Sequence, residues 1–312
     1  MSNEINNTDE TETAHEKDLG RREAHLLSPS HQMLENGVIR IARPFKNPTE
    51  AYVEAKDGEI PDYLASVDHS VAIEDKKVYE KELAAEEQRF NILVRRMKEA
   101  EKYLIVVLQG RDGAGKSGAT LRIGGSLDFD AKIYLTVPVG PPTGDEREHP
   151  PLWRFFKHNR MPGFGEVRVF DRSWFEELLV VRVNKLKPDA VWQGAYAGTR
   201  TMDWMLEQGG GIVVKFWLDI SRKEQKRRFK DRAKEKPWKL SESDKTENTK
   251  KKWGQYTEAA NEMFHRTGTD YSPWFIISAE NKRYSRVNVL RIINQQLEEA
   301  LGPEKSKKGK KK

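Results

Sequence analysis

The spacing of apolar and polar positions changes several times along this chain. Over residues 76–102, Tyr79, Leu83, Phe90, Leu93, Val94 and Met97 share one face and charges occupy the rest. That spacing predicts an amphipathic helix. Residues 103–108, "YLIVVL", are apolar without alternation, as in a strand buried on both faces. A glycine-rich loop and a helix to about residue 127 follow. "AKIYLTVPV" predicts a second strand and runs into "GPPTGDEREHPP", a loop dense in proline, glycine and charge. "LWRFFKHNR" reads as helix, "EVRVFD" as a third strand, and "FEELLVVRVNKL" as helix. A helix over about 199–207 precedes a fourth strand in "GGGIVVKFWLDI". "SRKEQKRRFKDRAKE" predicts a very basic helix, with Ser221 and Glu224 at capping-box spacing. Residues 236–250 form a charged excursion with the character of a lid. "KKWGQYTEAANEMFHRT" predicts helix, "WFIISA" a fifth strand, and "RYSRVNVLRIINQQLEEAL" a closing helix.

Strands of continuous apolar character alternating with helices predict an α/β fold. Its expected form is a three-layer α/β/α arrangement around a parallel sheet of about five strands. No internal repeat is present. Residues 1–30 read as a disordered acidic segment. Residues 31–75 read as an extension of unassigned role, with a short strand in "GVIRIARPF". The main domain is expected over 76–301, its lid over about 221–252, and a lysine-rich disordered tail over 302–312.

Charge sharpens this picture. Residues 1–20 hold six acids and one lysine, and residues 302–312 hold six lysines and one glutamate. These segments cancel, so the net charge of +6 belongs to the body of the chain. A basic body suits a polyanionic partner such as a nucleotide, a nucleic acid or polyphosphate. There is no cysteine, which excludes disulfides and thiolate metal sites and fits a reducing compartment. No apolar run is long enough for a membrane span, and the polar N-terminus is unlike a signal peptide. The expectation is a cytoplasmic protein with no membrane partner. The seven histidines are scattered without metal-ligand spacing. The tryptophans read mainly as core, with Trp153 and Trp174 as the candidates for stacking a base.

The chemistry concentrates in "GRDGAGKSG", residues 110–118, directly after the first buried strand. It contains G-x-x-x-x-G-K-S, the phosphate-cradling loop. Gly110, Gly113 and Gly115 let backbone N–H groups turn inward, and the following helix adds its positive end. Lys116 reaches terminal phosphates, and Ser117 can place its hydroxyl on Mg²⁺. In "VRVFDRSW", Asp171 ends an apolar strand where an acid supports Mg²⁺ beside such a loop, and Arg172 points a fork of donors into the same crevice. In the basic helix, Arg227, Arg228 and Arg232 are candidates to close over transferring phosphoryl groups.

Several blocks together resemble the type-2 polyphosphate kinases. They are "LQGRDGAGKSGA", "GEVRVFDRSWFE", "KFWLDISRKEQKRRF", "PWKLSESD", "PWFIISAENK" and "NVLRII", in family order and at family-like spacing over roughly residues 80–297. The resemblance implies a P-loop kinase-like fold close to thymidylate kinase, with a helical lid. It implies Mg²⁺-dependent phosphoryl transfer between inorganic polyphosphate and a nucleoside mono- or diphosphate, often in a homo-oligomer. By motif position it marks Asp112, Lys116, Arg172 and Arg228 as catalytic. It marks Gly110, Gly113, Gly115, Lys116, Ser117 and Arg122 as phosphate-binding, and Asp112, Asp171 and Ser117 as Mg²⁺-holding. An acid inside an anion-binding loop then makes sense as a metal or acceptor-phosphate ligand.

The chain departs from the family pattern in reading GKSG after the loop and in a loosely matching stretch at 139–152. "WFEELLVVRV" resembles members that accept monophosphates, and "FDRSW" resembles those preferring diphosphates, so the acceptor stays open. Three rival readings are an ATP-dependent nucleoside monophosphate kinase, a nucleic-acid-binding NTPase and an inactive binding protein, the last opposed by the presence of Lys116, Ser117 and Asp171. The family-like blocks after residue 215 oppose the first. The second lacks aromatics interleaved with basic residues, so no nucleic-acid partner is expected.

Overall fold

A computed structural model describes residues 30–45, 48, 60–157, 159–235 and 252–303. The excursion at 236–250 lies outside the described residues, as do nearly all of the two expected disordered termini. In chain order the elements are β1 (Ser30–Met33), β2 (Ile39–Ala42), α1 (Lys76–Glu99), β3 (Tyr103–Gly110), α2 (Lys116–Gly125), β4 (Tyr134–Pro138) and β5 (Val167–Asp171). Then come α3 (Val180–Val183), α4 (Asp189–Gln208), β6 (Gly211–Asp219), α5 (Arg222–Glu235), α6 (Trp253–Thr267), β7 (Trp274–Ser278) and α7 (Lys282–Leu301).

The strands form one sheet in the order β1-β2-β7-β6-β3-β5-β4. The expected five strands, β4, β5, β3, β6 and β7, are mutually parallel. The hairpin β1–β2 adds two antiparallel strands beside β7. Only β2 was legible beforehand, because β1 reads "SHQM", with no apolar run.

Two cores flank the sheet. Along β3, Leu104, Val106 and Leu108 face one core, together with Phe90, Leu93, Val94 and Met97 of α1 and Val289, Leu290 and Ile293 of α7. Ile105 and Val107 face the other, with Met202 and Leu206 of α4 and Ala259, Met263 and Phe264 of α6. This period-two division of a continuously apolar strand gives the three layers. A buried ion pair stands in the second core: Lys215 of β6 is fully buried and donates to Asp203 Oδ2 at 2.6 Å and to the Thr267 carbonyl at 2.8 Å. Asp203 in turn accepts from Trp174 Nε1 at 3.0 Å and Ser272 Oγ at 3.2 Å.

Three expected helices differ. "LWRFFKHNR" makes only a 3-10 turn at Trp153–Phe156, entered through Pro150 and Pro151. "FEELLVVRVNKL" splits into a 3-10 turn at Trp174–Glu177 and the single turn α3, because Leu179 leaves the helical region at φ −109°, ψ −80°. The split lets Trp174, Phe175, Leu178, Leu179, Val181 and Val183 all be buried, which a single helical stripe would not. Conversely, the helix expected over 199–207 begins ten residues earlier, at Asp189.

Candidate active site

The phosphate loop joins β3 to α2. Gly110 still pairs with Leu218 of β6, and its φ is +141°. A Cβ there would lie 2.3 Å from the Leu218 carbonyl oxygen, so only glycine lets the chain turn off the sheet at this point. Gly113, at φ +83°, passes Phe229 of α5 so closely that a Cβ would sit 3.0 Å from its ring. The loop is tied from outside by its carbonyls. Gln225 donates to Asp112 O at 2.9 Å, and Arg228 donates to Gly113 O at 2.9 Å and Ala114 O at 3.2 Å. Lys116 Nζ donates to Gly110 O at 3.1 Å. The amides of Arg111 and Ala114 are bonded to Leu218 O and Arg111 O; with the carbonyls drawn aside, the other loop amides and the start of α2 can face an anion.

β5 delivers the second part. Asp171 is its last residue and lies in register with Leu108 of β3, immediately before the loop. Arg172 follows at φ +67°, a left-handed conformation that costs a non-glycine residue about 1 kcal/mol or more. Its amide donates to Leu108 O at 3.1 Å. The next residue, Ser173, accepts from Gln109 Nε2 at 3.1 Å and from the Phe175 amide at 3.3 Å. These bonds hold the turn that points the Arg172 guanidinium at the loop. Its Nη2 lies 3.4 Å from Asp112 Oδ1, and Lys116 Nζ is 3.9 Å from the same oxygen. The acid inside the loop is thus flanked by two cations. Glu176 approaches Arg172 at 3.8 Å; burial pushes its carboxyl above the usual range, and Arg172 and Lys116 oppose that shift.

Two cavities meet at Asp112 and Arg172, which line both. The first, about 610 Å³, brings together Gly113, Gly115, Lys116, Ser117, Asp171 and Arg228 of the expected set. It also contains Arg232, Lys282, Ser285 and Arg286, of which only Arg232 was singled out in the sequence. Burial, and then the neighbouring Arg228, Arg286 and Arg227 cations, hold the Lys282 ammonium below its usual range. Such crowding of positive charge favours a polyanion. The second cavity, about 490 Å³, is lined by Gly110, Arg111 and Glu176 and by Leu179, Val180, Leu186, Trp217, Trp253 and Tyr256. Its character is aromatic and aliphatic, with a few polar groups.

Some expected residues stand elsewhere. Arg228 borders the basic cavity, but its donors are taken up by protein: Glu224 Oε1 at 2.6 Å, the two loop carbonyls, and Ala279 O and Glu280 O at 2.6 and 2.9 Å. Arg227 does not line that cavity and pairs with Glu224 and Asp231. Arg122 lines neither cavity and donates to Gly118 O at 3.3 Å. Trp174 is a core residue bound to Asp203, and Trp153 stacks on His149 at 3.8 Å, so neither tryptophan reaches the second cavity. The capping box at α5 is half present. Glu224 N donates to Ser221 Oγ at 3.1 Å, while the Ser221 amide donates to Glu280 because the Glu224 carboxylate is held by Arg227 and Arg228.

Among the described residues, no group of three or more His, Asp or Glu is placed to hold a metal ion. Asp112, Asp171 and Ser117 do share one cavity. Two carboxylates and a hydroxyl suit Mg²⁺, which usually takes one or two carboxylates and completes its octahedron with water and phosphate oxygens.

The chain is similar in sequence and in fold to known proteins. The family profile described as Polyphosphate kinase 2 matches residues 73–305. The chain is 39% identical over 246 residues to a polyphosphate:AMP phosphotransferase of Pseudomonas syringae pv. tomato, covering 78% of this chain and 48% of that protein. It is 40% identical over 233 residues to the protein of the same name from Pseudomonas aeruginosa, covering 74% and 46%. The chain therefore spans about half the length of these curated relatives. The crystal structure of polyphosphate kinase 2 from Arthrobacter aurescens superposes with a TM-score of 0.70 at 30% identity, covering 85% of this chain and 95% of that one. Among the described residues, no helix is long and apolar enough to cross a membrane.

Proposed function

The chain belongs to the polyphosphate kinase 2 family, and from that premise we propose that it transfers a phosphoryl group between inorganic polyphosphate and a nucleoside mono- or diphosphate. The observation that carries this reading is the pair of cavities sharing Asp112 and Arg172. Polyphosphate occupies the basic cavity, over the loop amides, Lys116, Lys282 and Arg286. The nucleoside occupies the aromatic cavity, with its terminal phosphate reaching toward Arg172. An oxygen of that phosphate attacks the terminal phosphorus of the polyphosphate. The bridging P–O bond breaks, and the shortened chain keeps the bond's electron pair. Lys116 and Arg172 neutralise charge at the transferring group, and the loop holds donor and acceptor in line. Asp112, Asp171 and Ser117 would hold Mg²⁺, which when bound would screen the phosphate charges. The same geometry serves the reverse transfer.

The matched relatives' activity toward AMP supports a monophosphate acceptor, and the residues around Asp171 resemble those of diphosphate users. A donor–acceptor matrix decides: polyphosphate or ATP against AMP, ADP, GMP and GDP, with Mg²⁺. The expected result is nucleotide phosphorylation with polyphosphate as sole donor. Turnover with ATP donating to a monophosphate and none with polyphosphate would overturn the reading. The resemblance also supports a cytoplasmic homo-oligomer, and light scattering on the eluted protein tests the oligomer.

A further inference from the structure

His69 lies in the segment 60–75, mostly ahead of the residues that the family profile matches, and no motif points to it. Its ring spans the carboxyl ends of two parallel strands. Nε2 is 3.4 Å from Asp219 Oδ2 at the end of β6. Nδ1 is 3.3 Å from Ser278 Oγ at the end of β7 and 3.9 Å from Glu280 Oε2 just beyond it. Asp219 is almost fully buried, and its other oxygen accepts from Arg111 Nε at 3.2 Å and Trp217 Nε1 at 2.9 Å. Arg111 belongs to the phosphate loop. It donates onward to Thr257 Oγ1 at 2.8 Å and stacks on Trp253 with its guanidinium carbon 3.8 Å from the ring centroid. Arg111, Trp217 and Trp253 all line the aromatic cavity. A continuous chain of contacts thus runs from His69 through Asp219 and Arg111 to that cavity's wall.

We propose that His69 is a positioning residue for nucleotide binding: it fixes Asp219, Asp219 fixes Arg111, and Arg111 holds Trp253 where the nucleoside docks. This rests on the assignment of the nucleoside to the aromatic cavity. The physical reason is the buried carboxylate. Arg111 and Trp217 hold one oxygen of Asp219 and His69 faces the other; without His69 that buried oxygen loses its partner, and a buried acceptor without a partner draws the carboxylate toward another arrangement. The contact is also pH-sensitive. The groups facing the ring are Asp219 from β6, Ser278 and Glu280 from the β7 end, and Asp68 from its own segment, with Arg111 beyond Asp219. The hydrogen bond to Asp219 raises the His69 pKa above its ordinary value, against the opposing effect of burial. The charged bridge is therefore complete below about pH 6.5 and weakens as pH rises through the raised value. The neutral ring can still donate from Nε2 to Asp219, so the contact loosens without parting.

Calorimetric titration of AMP and ADP with Mg²⁺ into the full chain tests this, at about pH 6.5 and about pH 8.5. His69→Ala is expected to weaken nucleotide binding about tenfold, the scale of one charged hydrogen bond. Its KM for polyphosphate should change less than about twofold, because no link of the chain lines the basic cavity. His69→Gln, whose amide can replace the Nε2 donor, should recover most of the loss. Its pH profile supplies the nucleotide's own titration, so wild type should lose affinity at the higher pH relative to His69→Gln. Unchanged nucleotide affinity in His69→Ala overturns the proposal. So does an equal loss for nucleotide and polyphosphate with a lowered Tm and no rescue by glutamine, which would mark a purely structural residue. Wild type that binds nucleotide but never uses polyphosphate would sink the proposed reaction and leave this comparison readable.

Discussion

At the scale of single residues, the site rests on how charge is balanced around Asp112. Its carboxylate faces Arg172 at 3.4 Å and Lys116 at 3.9 Å, in a cavity it shares with Asp171. Asp112→Asn keeps the size and removes the charge. The expected outcome is a fall in kcat of about two powers of ten or more with a shifted Mg²⁺ requirement and an unchanged Tm, read by steady-state kinetics across a Mg²⁺ titration. Normal kcat and normal Mg²⁺ dependence would remove this residue from the chemistry. Asp112, Lys116, Ser117, Asp171 and Arg172 were legible in the sequence because each lies within a few residues of a strand end, inside a local motif. Lys282, Ser285 and Arg286 were not, since only the closing of the sheet brings the start of α7 to the loop. The one available signal was positional: "NKRYSR" follows an apolar strand, and open parallel sheets bind ligands beyond their strand ends. His69 carried no signal at all, because its partners are remote in sequence.

At the scale of elements, α5 behaves as a brace for the phosphate loop. Gln225 and Arg228 hold three consecutive loop carbonyls, and Arg228 also reaches the carbonyls after β7. α6 supports the same loop from its other side, through Thr257 and Trp253 on Arg111. The sequence marked Arg228 as an arginine facing phosphate. The structure adds a cost in stability. Arg228→Ala is expected to lower kcat at least tenfold and also to reduce stability by about 2–4 kcal/mol, since four buried carbonyls lose their donor and Glu224 is left with Arg227. Thermal unfolding beside kinetics checks both; wild-type Tm with reduced kcat would favour a direct contact with phosphate. The element pattern was otherwise readable where one periodicity prevailed, as in α1, β3 and α7. It failed at Trp174–Glu177 and α3, where local turns bury residues on several sides and no single period survives.

At the scale of the whole molecule, the basic body and the basic cavity point the same way. Raising salt from about 50 mM to about 500 mM is expected to raise the KM for long polyphosphate several-fold, with a smaller effect on the nucleotide KM. Equal sensitivity of both would argue against separate sites. The parallel sheet and its two covered faces were legible in the sequence. The seven-strand extent was not, because β1 is polar and β2 is only four residues long. That hairpin has a consequence for any shortened version of the protein. β2 pairs with β7 at Ile39–Ile276, Arg40–Phe275 and Ile41–Trp274, and Ile39, Ile41 and Ala42 are buried. A chain begun at Lys76 would keep the residues of the phosphate loop yet leave β7 as a bare sheet edge, apolar over Trp274–Ile277 and free to template pairing with another molecule. Such a truncation is expected to aggregate on concentration, visible as high-mass material by light scattering, while the full chain stays dispersed. The hairpin then serves solubility as much as architecture: it ends the growth of the sheet.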